Sequence, residues 1–150
     1  MSDIKSRLTE AMKQAMRAGD KPRLGTIRMA LAAIKQREID ERVELDDQQQ
    51  IATLDKLVKQ RRESESQFLE AGRDDLAEIE VFERGVLQSF LPEPLDQATL
   101  DKLIDQAIAD SGASSMRDMG KVIAELKPQV QGRADMGALS GKVKQRLGQL

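Results

Sequence analysis

Hydrophobic residues recur along the whole chain at the helical spacing of about 3.6 residues, and no long stretch alternates as a strand would. In the first segment the apolar positions run from Ile4 to Met16, and Gly19 marks the stop. A second helix is predicted from Pro22, because proline is favoured in a first helical turn, to Glu41. The pattern therefore predicts an all-α protein.

Two further helices are predicted before a pair of prolines. One of the aspartates at 46–47 caps the third helix, which ends at Gly72, and one of those at 74–75 caps the fourth, which runs to Phe90. The apolar positions of these helices are expected in the core. Three of them are the chain's phenylalanines: Phe68, Phe82 and Phe90.

The block Leu91-Pro92-Glu93-Pro94 is the best candidate for a domain boundary, because each proline disfavours helical backbone at the residue before it. We therefore predict two helical subdomains. The first is a four-helix bundle over residues 1–92, and the second is a smaller subdomain of three or four helices over residues 93–150.

Within the second subdomain, Asp96 is predicted to cap a helix that ends at Gly112. Ser115 caps the next helix, which ends before Pro128. A last apolar stripe lies over 139–147, with Asp135 as the expected N-cap.

The composition restricts the possible functions mainly because several residue types are absent. The 150-residue chain contains no His, Cys, Trp or Tyr. A Ser-His-Asp triad, a thiolate nucleophile and a histidine-bound zinc hydroxide are therefore excluded. We expect no catalytic residue, no metal and no cofactor.

Charge is distributed unevenly, although the formal net charge is only -2. Nine basic residues stand against three acidic ones up to Arg37, and seven against three from Met116 onward. No stretch approaches the roughly 18 consecutive apolar residues of a spanning helix, and no apolar leader is visible. We expect a soluble cytoplasmic protein with no membrane partner.

Several charged clusters allow two interpretations each. Glu78, Glu80 and Glu83 could act as acid and base or hold a metal, or simply solubilise a helix. On the second helix, a group of basic residues could bind phosphate or form a solvated face; it comprises Arg28, Lys35 and Arg37.

The arginines in and after the polar segment Arg61–Glu65 are a third ambiguous group. Arg61, Arg62 and Arg73 could hold phosphate or carboxylate in a bidentate fork. Alternatively, they pair with acidic residues of the protein itself.

The C-terminal run DMGKVIAELKPQVQGRADMGALSGKVKQRL mixes glycine with basic residues. Its glycines could permit close approach of a phosphate backbone, or could serve as caps and turns. The phosphate-binding pattern G-x-x-x-x-G-K-[ST] is absent, since Ala138 and Leu139 follow Gly137.

Four segments carry a resemblance to a known family: KPRLGTIRMALAAIKQREI, LVKQRRESESQFLEAGRDDLAEIE, LQSFLPEPL and DMGKVIAELKPQVQGRAD. In this order they resemble the GatB/YqeY family, and the chain resembles its free-standing YqeY-like members over essentially residues 1–147. The last segment is similar to the tail domain of the B subunit of the tRNA-dependent amidotransferase. The resemblance implies an all-α fold of two subdomains.

The resemblance also implies tRNA as the partner, since the amidotransferase tail contacts tRNA while the chemistry takes place elsewhere. We therefore expect an accessory protein of translation that binds the tRNA phosphate backbone, with an aminoacyl-tRNA enzyme or the amidotransferase as a further candidate partner. The residues expected to form the surface are Gly120, Lys121, Lys127, Gly132, Arg133, Lys142 and Arg146.

Two alternatives remain at this stage. One is a carbon–nitrogen ligase activity with glutamine as amido-N-donor, which the family association implies. The other is a helical module that docks on a protein through Arg61–Glu65.

Overall fold

The structure, a computed structural model, describes residues 3–150, and within that range it contains seven α-helices, one short 3₁₀ turn (Met116–Asp118) and no strand. The prediction of an all-α protein is confirmed. The helices are α1 (Ile4–Ala18), α2 (Lys21–Glu41), α3 (Asp47–Glu70), α4 (Asp74–Gln88), α5 (Gln97–Ser111), α6 (Met119–Val130) and α7 (Met136–Gly148).

Most helix ends lie where the sequence predicts them. Gly19 ends α1 in the left-handed conformation at φ 68°, and Gly112 ends α5 at φ 70°. Asp46 caps α3 in a reciprocal capping box with Gln49, and Asp135 caps α7 by accepting a hydrogen bond from the Ala138 amide.

The predicted cap of α4 is wrong. The N-cap residue is Arg73, which has no capping side chain, and Asp74 and Asp75 lie inside the first turn. The reversal at Gly72, with φ 70°, brings the chain into the helix one residue early. The two carboxylates then act on the positive end of the helix dipole instead of capping it.

The predicted limits of α6 are also wrong. Ser115 caps the 3₁₀ turn, α6 follows at Met119, and the helix continues through Pro128 to Val130. Proline removes the amide that would bond to the carbonyl of Ala124, and its ring crowds that carbonyl, yet the helical backbone continues for two more residues. Ala124 and Pro128 are both exposed.

The chain divides into two compact units, an N-terminal unit that ends at Pro92 and a C-terminal unit, Glu93–Leu150. Each unit has its own hydrophobic core. The N-terminal core is built on Leu8, Ile27, Ile34, Leu54 and Leu87. The C-terminal core is built on Ile104, Val122, Leu126, Leu139 and Val143.

Not every apolar position of the predicted stripes is buried. Phe90 is 5% exposed, but Phe82 is 44% exposed and Phe68 is half-buried. The side of α4 toward α3 carries Glu80 and Arg84, whose charges pair with α3. This polar contact turns Phe82 toward solvent and overturns its expected core position.

Within the described chain, every helix is too short or too polar to cross a lipid bilayer.

Candidate nucleic-acid interface

The exposed side of α7, which we name the bare side, carries three glycines and one alanine beside two longer side chains. It consists of Gly137, Ala138, Gly141, Lys144, Gln145 and Gly148. A Cβ atom added at Gly141 or Gly148 would meet no atom within 4 Å, and neither glycine has a positive φ. These glycines therefore have no role in internal packing or in a turn.

The other glycines of the C-terminal run differ from one another. Gly132 is a turn residue with φ 75°, so the interpretation as caps and turns applies to it. Gly120 is the second residue of α6, exposed and open, and the close-approach interpretation fits it. Beside it, Lys121 is exposed, and Lys127 is exposed two turns later.

Lys142 and Arg146, one turn apart on α7, both face α5. The Lys142 Nζ lies 3.2 Å from the Asp101 Oδ1, and the Arg146 Nη1 lies 3.0 Å from the Asp105 Oδ1. The structure thus brings these two candidates together, but each already has a carboxylate partner.

Arg133 is also engaged. Its Nε donates to the main-chain oxygen of Glu93 at 2.9 Å, and its own carbonyl accepts from the amide of Leu95 at 2.9 Å. Arg133 therefore ties the turn after α6 to the segment that precedes α5.

The acidic residues near the start of α6 are partly occupied. The Asp118 carboxylate accepts hydrogen bonds from the amides of Ser114 and Ser115, which lower its pKa, and the nearby charge of Lys121 lowers it further. From Met136 to Leu150 the chain has three basic residues and no acidic one. Lys144, at the edge of the bare side of α7, forms no salt bridge within residues 3–150.

Lys144 is not among the residues selected from the sequence. The signal was available, because position 144 lies about 100° around the helix from Val143, the centre of the apolar stripe that also contains Leu139 and Leu147.

On α2, the three basic candidates separate. Arg28 and Lys35 are exposed on the outer side. Arg37 lies elsewhere: it pairs with Glu41 and donates to the carbonyl of Gln49 at 3.0 Å and the hydroxyl of Thr53 at 3.1 Å.

Arg61 is paired within the protein. Its Nε lies 3.0 Å from the Glu83 Oε2 and 3.9 Å from the Glu80 Oε2, and its guanidinium also contacts the Met29 sulfur. Burial, followed by the nearby charge of Glu83, raises the pKa of Glu80, against the opposing effect of Arg61.

Two neighbouring arginines are also paired with acidic residues of the protein itself. Arg84 on α4 lies 2.8 Å from Glu65 on α3, and Arg73 lies 3.1 Å from Asp75, whose pKa it lowers. Arg62 is exposed. The segment Arg61–Glu65 therefore uses part of its polarity to join α3 to α4.

Among the described residues, no three acidic side chains converge as metal ligands. A groove of about 580 Å³ between α2 and α3 does bring Asp40, Glu41 and Lys56 to its walls. Asp40 accepts a hydrogen bond from Gln36, and Glu41 pairs with Arg37.

Most of the chain matches the sequence model of a known family. The sequence model described as "Yqey-like protein" matches residues 5–147. The chain belongs to the YqeY-like family. The resemblance stated from the sequence is thereby confirmed for the free-standing YqeY-like members.

The curated relatives of this YqeY-like chain include proteins named "Altered inheritance of mitochondria protein 41, mitochondrial". The protein of Eremothecium gossypii is 38% identical over 109 residues, which is 72% of this chain and 59% of the relative. That of Vanderwaltozyma polyspora is 32% identical over 120 residues, 75% of this chain and 64% of the relative. That of Pyrenophora tritici-repentis is 29% identical over 145 residues, 95% and 80% respectively.

The chain thus spans about three fifths of the length of the first two relatives. The names of these relatives contradict the expected cytoplasmic location, and that prediction is wrong. The prediction rested on the lack of apolar spanning segments. That lack distinguishes a membrane from aqueous surroundings, but it does not distinguish one aqueous compartment from another.

Proposed function

We propose that this YqeY-like protein binds tRNA through the phosphate backbone, as an accessory protein with no catalytic centre of its own. The observation that carries the proposal is the exposed side of α7, where Lys144 lies among open glycines with no carboxylate. Each glycine in a helix interior costs about 1 kcal/mol relative to alanine. Internal packing does not account for that cost, whereas the close approach of a polyanion does.

The surface that we propose, named the α6–α7 surface, consists of Gly120, Lys121, Lys127, Gly141 and Lys144. Phosphate contacts come from lysine and arginine charges, and bare backbone lets the ligand approach amide groups. Lys142 and Arg146 contribute less, because Asp101 and Asp105 already offset their charges.

Gly132 and Arg133 act mainly as structural residues in this proposal. Gly132 supplies the left-handed turn, and Arg133 holds the main chain at Glu93. Their substitution is expected to reduce binding through loss of the turn.

Recognition of this kind reads the shape of RNA and not its sequence. Base stacking needs exposed aromatic rings, and the chain has no Trp or Tyr and only three Phe. A protein that holds tRNA by its backbone could work beside an enzyme that acts on aminoacyl-tRNA, such as the tRNA-dependent amidotransferase of the family resemblance.

A salt titration of tRNA binding tests this proposal. For Lys121→Ala/Lys144→Ala we expect weaker binding and a log–log salt slope smaller by about 1.4 to 1.8, because each lost phosphate contact contributes about 0.7 to 0.9. The matched control is Lys13→Ala/Lys56→Ala, which removes the same charge from exposed positions of α1 and α3. Equal slopes for the two double variants would refute the α6–α7 surface.

A second candidate function is docking on a protein, which the exposed apolar residues of α4 favour. Ile79 is 52% exposed and Phe82 is 44% exposed, one turn apart. This candidate replaces tRNA binding if the wild-type protein binds no tRNA at micromolar concentration.

The groove lined by Asp40, Glu41 and Lys56 is where the glutamine-dependent ligase alternative can be tested. We expect no ammonia release from glutamine above background. Release that Lys56→Ala abolishes would support the ligase alternative.

A further inference from the structure

The exposed side of α2 carries a straight line of basic residues in the N-terminal unit. We name it the α2 stripe: Lys21, Arg28 and Lys35 on the helix and Arg42 at its C-cap, each exposed and seven residues from the next. Seven residues make almost two helical turns, so the three helical side chains share one side of α2, and Arg42 follows in left-handed backbone at φ 55°. The buried residues Thr26, Ile27, Ala30 and Ile34 occupy the other side.

Four carboxylates in and beside α2 have partners that are not members of this line. Asp20 accepts from the amide of Arg23, and Glu38 binds the Lys5 ammonium and the Leu45 amide. Asp40 and Glu41 accept from Gln36 and Arg37. Among residues 3–150, no ion pair involves any member of the α2 stripe.

Small residues separate the cations of the stripe. Gly25 and Ala32 lie between successive pairs, both exposed, and a Cβ atom at Gly25 would meet nothing within 4 Å. Gly25 has no positive φ, so the turn of the chain does not require it. It repeats the arrangement of α7, in which an open glycine stands beside an exposed lysine.

The spacing selects the class of ligand. Successive cations on the helix lie about 10 Å apart along its axis, and the helical part of the stripe, from Lys21 to Lys35, spans about 21 Å. Since charges this far apart are largely screened from one another in physiological salt, a single small anion can neutralise only one of them. The stripe as a whole fits a ligand that repeats its own negative charge along its length.

Nucleic acid fits better than an acidic helix of a partner protein. The centre of a protein interface is depleted in charged residues and needs apolar anchors. Between the cations of the stripe stand glycine, alanine and a single large apolar residue, Ile39. Phosphate backbone needs only charge and close approach.

We infer that the α2 stripe is a second surface for the RNA phosphate backbone, carried by the N-terminal unit and separate in sequence from the α6–α7 surface. The inference rests on the proposed function in that both surfaces take the same ligand. It predicts that Lys21, Arg28, Lys35 and Arg42 contribute to the salt dependence of tRNA binding.

The test is a salt titration of tRNA binding by the full chain with Arg28→Ala/Lys35→Ala. We expect binding at 0.1 M salt to weaken roughly tenfold or more and the slope to fall by about 1.4 to 1.8. The exchange variant Arg28→Lys/Lys35→Arg keeps both charges and should keep the slope. Lys13→Ala/Lys56→Ala again controls for net charge.

Gly25→Ala provides a second readout. The added methyl group has room and removes a helix-weakening glycine, so we expect a more stable protein that binds tRNA less tightly. A variant that is more stable and binds tRNA normally would argue against close approach at α2.

The possible results separate this inference from the proposed function. If the salt slope of tRNA binding falls only in Lys121→Ala/Lys144→Ala, the α2 stripe is overturned and the α6–α7 surface is supported. Loss only in Arg28→Ala/Lys35→Ala would support the stripe and overturn the α6–α7 surface. No tRNA binding by the wild-type protein would overturn both.

Two controls can also overturn the stripe. The first is an equal loss of slope in Lys13→Ala/Lys56→Ala, which would make the effect one of net charge. The second is unchanged tRNA binding by Arg28→Ala/Lys35→Ala together with loss of binding to vesicles of anionic phospholipid, which would assign the stripe to a lipid surface.

Discussion

Lys142 on α7 lies directly against Asp101 on α5, with 3.2 Å between the Nζ and Oδ1 atoms. One turn further along both helices, Arg146 and Asp105 repeat the pair at 3.0 Å. Both basic residues stand beside the bare side of α7. Their carboxylate partners therefore compete directly with any phosphate ligand that approaches α7.

Removing the competing carboxylates should strengthen tRNA binding. In Asp101→Asn/Asp105→Asn, Lys142 and Arg146 lose their partners, and we expect tighter binding with a salt slope larger by up to about 1.8. The cost in stability should stay within about 1 kcal/mol per pair, since both pairs are at the surface. Unchanged affinity and slope would show that α7 does not contact the ligand on this side.

Gly141→Ala separates stability from binding. The new methyl group meets no atom within 4 Å, so the free energy of unfolding should rise by about 0.5 to 1 kcal/mol. At the same time the methyl group holds a phosphate backbone away from the helix, and tRNA binding should weaken several-fold. The matched control is Gly85→Ala on α4, an equally open helical glycine, which should stabilise the protein without affecting tRNA.

Glu83 and Glu80 should respond differently to neutralisation. Glu83→Gln removes the 3.0 Å partner of Arg61, which is 14% exposed, and should cost about 1 to 2 kcal/mol in urea unfolding at pH 7. Because the pKa of Glu80 is raised in the folded protein, its ionisation opposes folding, and stability falls as the pH rises through that pKa. Glu80→Gln should remove this pH-dependent loss of stability and should destabilise the protein less than Glu83→Gln does. A larger destabilisation by Glu80→Gln would contradict the charge network of Arg61, Glu80 and Glu83.

Acid should weaken the contacts of Glu38, which joins α2 to Lys5 on α1 and to the amide of Leu45 in the segment before α3. The Leu45 amide, followed by Lys5, lowers the pKa of this carboxyl. Its contribution to stability is therefore complete above its ordinary pKa of 4.5 and is lost as the pH falls through the lowered value. The difference in urea midpoint between wild type and Glu38→Gln should shrink on acidification. A constant difference would exclude this pH linkage.

We also expect the two units to unfold separately. Leu126→Ala opens a cavity in the C-terminal core, at a cost of about 2 to 5 kcal/mol. Amide hydrogen exchange should then accelerate over 93–150 and stay unchanged in α1–α4. Leu54→Ala should give the converse result, and acceleration throughout the chain in either variant would contradict the predicted boundary at 92/93.

The fold was largely predictable from local signals. Glycine stops such as Gly19 and Gly112 and caps such as Asp46 act within one turn of the chain, so the sequence contains the whole interaction. The errors occur where a distant contact or solvent exposure decides. Pro128 stays within α6 on an exposed side of the helix, and Phe82 turns outward because charged groups join α4 to α3.

The sequence by itself determined the all-α fold class, most helix ends, the family, and the number and positions of the basic residues. It could not determine which charges are free, since a charge is offset by whatever lies a few ångströms away in space. Arg61 meets Glu83, Lys142 meets Asp101, and both partners lie on other helices. Only the tertiary structure, by bringing those helices together, shows that Lys144 and the α2 stripe remain exposed and outside the salt bridges of residues 3–150.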